Sequence, residues 1–129
     1  MKLAATISRH LLGLIFTIFG LNGFLHFIPQ PPPESQLALQ YFTALATSHY
    51  LVLVFLLQLI AGLLLLTNRF VPLALTLLAP ILVNILLFHG LMDLANIGPG
   101  LLATILWFIV FNSVRRAFRG ILQAKSPVN

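Results

Sequence analysis

Gly20-Leu-Asn-Gly-Phe-Leu-His26-Phe-Ile-Pro29 closes the first long apolar run of the chain and brings two polar side chains into it just before proline ends it. Asn22 and His26 are four residues apart, so a helix carries them on one face. In hydrocarbon an amide or an imidazole is costly unless it turns toward other helices and finds partners there. The stretch therefore predicts a membrane helix with an inward-facing polar side, and it directs attention to the helices that side would face.

Composition agrees with this. Of 129 residues, 60% are hydrophobic and 7% charged, and the mean hydropathy is +1.05, which is the balance of a membrane protein. The length suits one transmembrane domain spanning residues 1–129. The absence of cysteine excludes disulfides, Cys-ligated zinc and a paired-thiol redox relay. A redox role would need a borrowed cofactor; no motif encodes one, and quinone or lipid are the candidate ligands. The net charge of +5 does not describe a nucleic-acid binder, because a basic groove interleaves exposed cations with stacking aromatics. Here the aromatics lie inside the apolar runs.

Four spans are expected, at about residues 11–28, 49–67, 70–91 and 100–115. Lys2 and Arg9 ahead of the first run also fit a secretory signal peptide. That run is longer than a typical signal core, however, and ends in Pro29-Gln-Pro-Pro-Pro33 with no small-x-small site, so a retained span is expected. Gly13, Thr17 and Gly20 fall on one stripe where small side chains let another backbone come close. After the prolines, residues 35–46 place Leu37, Tyr41 and Leu45 at four-residue spacing with Phe42 beside them. This predicts a short amphipathic interfacial helix, with a lid over a pocket as the functional alternative. Tyr50 opens the second span, and Asn68-Arg69 makes a tight connection to the third. Pro80 is expected to kink the third span and to free a carbonyl near Thr76. Gly98-Pro99-Gly100 punctuates the entry to the fourth, and the basic tail from Arg115 to Arg119 extends it.

All seven Lys and Arg residues fall in the first segment, the second-to-third connection or the tail, whereas Glu34 and Asp93 fall in the other two connections. With four crossings, the cationic places share one side, and cytoplasmic loops are the ones enriched in Lys and Arg. Both termini are thus expected to be cytoplasmic.

At a rise of about 1.5 Å per residue, Asn22 stands roughly 20 Å above Arg9 and Asn84 roughly 23 Å above Arg69, in the outer half of a core about 30 Å thick. Gln58 falls near the middle, His26 and His89 higher, and Asp93 at the outer boundary. His89 and Asp93 are four apart and share a face. Three readings stay open. The amides tie the helices together; or Asn22, His26, Gln58, Asn84, His89 and Asp93 line an outward-opening pocket for a quinone or lipid; or His26, His49, His89 and Asp93 gather a metal, for which their spacing carries no diagnostic signature. A proton path would need ionisable groups at several depths, and hydrolysis would need a nucleophile beside a base and an orienting acid; neither set is present on the polar faces. A stand-alone enzyme is not expected, and no catalytic residue is assigned.

Arg9-His-Leu-Leu-Gly13, Asn22-Gly-Phe-Leu-His26-Phe, Gly62-Leu-Leu-Leu-Leu-Thr-Asn-Arg69-Phe-Val-Pro72 and the stretch from Ala79-Pro80 to His89 resemble the DoxX-like family over nearly the whole chain. Asn-x-x-x-His at the end of the first span and Asn-Arg-Phe-Val-Pro after the second are its most specific elements. The resemblance implies an all-α integral membrane four-helix bundle of the bacterial inner membrane. It also implies an accessory or small-molecule-binding subunit near respiratory or redox machinery, since the family is named for proteins associated with a complex that passes electrons to quinone. The alternative is a non-catalytic structural or assembly factor that binds another membrane protein through the Gly13 and Gly20 stripe. Many relatives resemble one another in an acidic residue near position 58; the neutral Gln58 here argues against proton handling.

Overall fold

The computed structural model describes residues 2–128, and all the regular structure among them is helical. Helix α1 runs Lys2–Leu25, α2 Gln36–Thr47, α3 Tyr50–Leu66, α4 Val71–Met92 and α5 Gly98–Val114. Short 3-10 segments at Leu94–Asn96 and Arg115–Leu122 lead into α5 and out of it.

α1 begins earlier than the expected position 11 and stops before 28. It stops because His26 takes a left-handed conformation (φ 53°), and its N–H donates to the Asn22 carbonyl at 2.9 Å. This is the single-bond left-handed cap that ends many helices. The cap acts before Pro29 is reached, and Ile28, which precedes proline, is disfavoured in helical geometry. α2 starts where Ser35 caps it, the Ala38 N–H donating to the Ser35 hydroxyl at 3.2 Å. α3 ends in a Schellman motif: Asn68 is left-handed (φ 54°), the Arg69 N–H reaches the Leu64 carbonyl at 3.0 Å and the Asn68 N–H reaches Leu65 at 3.3 Å. That motif makes the tight connection into α4, where Pro72 sits in the first turn. α4 continues past Pro80 as one helix to Met92. α5 likewise carries Pro99 in its first turn, two residues ahead of the expected start.

Four helices close a ring: α1 packs on α3 and α5, and α4 packs on the same two. Leu12, Phe16, Leu65, Leu75, Leu78, Leu82, Leu106 and Val110 fill its centre. α1 and α3 run antiparallel with their backbones close. A Cβ on Gly62 would lie 2.5 Å from the Thr17 nitrogen, and one on Gly20 would lie 2.8 Å from the Leu59 nitrogen. Only glycine fits at such a crossing. Trp107 Nε1–H crosses from α5 to donate to the Leu75 carbonyl of α4 at 3.0 Å, one residue before the carbonyl that Pro80 leaves without its helical donor.

The outside of the ring carries large apolar side chains as well. Leu53, Val83, Ile105 and Phe108 are 57–60% exposed, and a helix that is hydrophobic all round needs an apolar surrounding on its outer face as well. Three helical stretches, Lys2–Leu25, Val71–Met92 and Gly98–Leu122, are long and apolar enough to cross a membrane. A fourth is reached if α2 and α3, which meet at 85°, count as one broken span. α3 alone has 17 residues, about 26 Å of helix. These properties are those of a multi-pass membrane protein.

Candidate functional site

None of the six polar residues singled out by sequence lines either of two cavities, of about 420 and 280 Å³. Asn22 is buried, but its amide is occupied at the end of its own helix: Oδ1 accepts the Ile28 N–H at 2.7 Å, and Nδ2 donates to the Ile28 carbonyl at 3.2 Å. It clamps the chain leaving α1. His26, four residues on, is exposed and serves as the left-handed cap. The two differ in surroundings, Asn22 buried and His26 exposed, and together they shape the turn that ends α1.

Gln58 is buried at 7% exposure. The glycine contacts set Gly20 against Leu59 and Gly23 against the Phe55 ring, which brings Gln58 level with residues 20–21, about 17 Å above Arg9 and near the middle of a core about 30 Å thick. The buried Asn22 and Gln58 therefore sit close to one level of the ring, with no hydrogen bond between them. Asp93 stands at the end of α4, where its two carboxylate oxygens accept from the Asn96 amide at 3.1 and 3.0 Å. It is paired forward into the next turn and not back to His89. Among the described residues no three His, Asp or Glu side chains come together, so His26, His49, His89 and Asp93 do not form a cluster.

Asn84 and His89 are drawn into a different constellation. The Tyr41 phenol of α2 donates to Asn84 Oδ1 at 3.3 Å, while the Tyr41 ring lies over Phe88 with centroids 5.4 Å apart and planes tilted by 31°. Phe88 in turn meets the His89 ring edge-to-face at 5.0 Å. A carbonyl can only accept, so the 2.9 Å contact between His89 Nδ1 and the Ile85 carbonyl fixes the proton of a neutral imidazole on Nδ1 and leaves Nε2 as an acceptor. The Asn84 Nδ2 group remains a donor. One seam between α2 and α4 thus offers a donor, an acceptor and two aromatic faces. Asn84 is exposed, and Tyr41, Phe88 and His89 are half-buried. The sequence puts Tyr41 on an amphipathic helix without pointing it at Asn84, and the four-residue spacing of Asn84 and Phe88 is the sign of their common face.

Gly13, Thr17 and Gly20 face α3, where Gly62 receives Gly13 and Thr17 and Leu59 meets Gly20. The Thr17 hydroxyl is buried in this contact without a hydrogen-bond partner. The stripe is covered from within the chain and does not present a surface to a second protein. Compared with known proteins, the chain matches no family model, no curated protein and no solved structure.

Proposed function

We propose that the chain is a four-helix integral protein of the bacterial inner membrane, both termini cytoplasmic, which acts as a small accessory component holding an amphiphile such as a quinone or lipid at the α2–α4 seam. The resemblance to DoxX-like proteins supports an accessory place near respiratory or redox machinery. The apolar outer surface of the ring supports membrane insertion, and the segregation of Lys and Arg from Glu34 and Asp93 supports the orientation.

The observation that carries the binding role is the Tyr41–Asn84 hydrogen bond with Phe88 and His89 beside it. A ring bearing oxygens would stack against the aromatic faces, with the Asn84 amide donating to a carbonyl oxygen and His89 Nε2 accepting from a hydroxyl. The hydrocarbon tail would run down the apolar outer face of α4 past Val83. α2 is then a wall of the site, fixed by one phenol, instead of a connector only.

The test is the quinone and lipid content of protein extracted in mild detergent, measured by mass spectrometry after solvent extraction. Tyr41→Phe and Asn84→Leu are expected to lower the bound amphiphile about tenfold, corresponding to about 1.4 kcal/mol. Asn22→Leu is expected to leave it unchanged. Equal content in all four proteins, or a loss confined to Asn22→Leu, rules the seam out.

A further inference from the structure

At the end of the molecule remote from Glu34 and Asp93, α1 and α5 part to leave a cleft of about 420 Å³ lined by Lys2, Ala5, Phe108, Ile109, Asn112 and Ser113. No residue of the α2–α4 seam contributes to it. The lining is graded along α5: Phe108 and Ile109 are apolar, and Asn112 and Ser113 follow one turn later, about 6 Å along the axis, with Lys2 of α1 facing them. The Ser113 hydroxyl is spent on the Val110 carbonyl at 2.6 Å. The Lys2 ammonium and the Asn112 amide donate to no other described residue. On the other flank of α5 a second cleft, of about 280 Å³, sets Phe111 and Phe118 beside Arg115 and Arg119.

Charge and apolar surface therefore meet at one depth, and both acidic residues of the chain lie at the opposite end. A ligand matched to this gradient carries a negative phosphate at one end and hydrocarbon at the other. We propose that the cleft between α1 and α5 binds one anionic phospholipid, its phosphate held by the Lys2 ammonium and the Asn112 amide and an acyl chain laid over Phe108 and Ile109. Basic clefts between helices at a cytoplasmic face suit such headgroups, and ammonium–phosphate hydrogen bonds are strengthened by charge. The volume accommodates a headgroup with the first part of a chain. Arg115 and Arg119 on the neighbouring flank raise the local positive potential without touching this ligand. The inference rests on the membrane placement proposed above and is independent of the seam.

The full chain in mild detergent is incubated with equimolar phosphatidylglycerol and phosphatidylcholine, and retained lipid is counted by native mass spectrometry. Phosphatidylglycerol is expected to be retained about tenfold over phosphatidylcholine. Lys2→Gln and Asn112→Leu, both exposed changes that keep the helices, abolish that preference. Arg69→Gln removes a cation of the same end outside the cleft and leaves the preference intact. Equal retention of the two lipids, an unchanged preference in both cleft variants, or an equal loss in Arg69→Gln overturns the site. Release of the chain from carbonate-washed membranes would separately overturn the membrane placement.

Discussion

The Arg9 guanidinium donates to the main-chain carbonyl of Leu65, 56 residues later in the chain. Leu65 lies in the last turn of α3, and the same carbonyl accepts the N–H of Asn68 in the turn that follows. A half-buried cation thereby neutralises the negative end of a helix and braces a connection that contains two left-handed residues, Asn68 and Phe70.

Removing that cation is expected to weaken the fold. Arg9→Met should lower stability by about 1.5–3 kcal/mol, the range for a hydrogen bond involving a charged group, and Arg9→Lys should restore part of it. Unfolding in detergent, followed by circular dichroism, provides the measurement. A midpoint unmoved by Arg9→Met would mean that the contact carries no load.

The α1–α3 crossing makes a sharper demand. Gly62→Ala places a methyl 2.5 Å from the Thr17 nitrogen, so backbone must move, at a cost of about 1–3 kcal/mol or more. Gly120→Ala meets nothing within 4 Å and is expected to be neutral. Should both variants unfold at the wild-type midpoint, α1 and α3 do not approach as closely as described.

His26 offers a test of structural against binding roles. It is exposed and left-handed (φ 53°), a conformation that costs a residue with a Cβ about 1–2 kcal/mol. His26→Gly is expected to raise stability by up to about 1 kcal/mol, because glycine's larger entropy loss on folding offsets part of the relief; His26→Val should lower it. Bound amphiphile should stay the same in both. The reverse order of stabilities, or a loss of ligand in His26→Gly, would show that His26 contributes to binding.

What could be read in advance, and what could not, follows from the range of each interaction. The apolar runs and their polar punctuation foretell the long helices because hydrophobicity and proline act locally. Gly13, Thr17 and Gly20 announce a close approach, since a stripe of small residues has little other use in an apolar helix. The fate of Asn22 was hidden: shared helical face with His26 suggested convergence on a ligand, whereas the amide folds onto Ile28, beyond the helix end, where periodicity no longer governs direction. Asn84 found its partner 43 residues away in Tyr41, and no local pattern encodes that meeting.

The order in which the ring closes bears on biosynthesis. α1 is flanked by α3 and α5, so it acquires its second neighbour only once α5, the latest of the four in chain order, has been made. Until then one flank of α1 and the matching flank of α4 stand open, so the ring is sealed only by its most distant pairing in sequence.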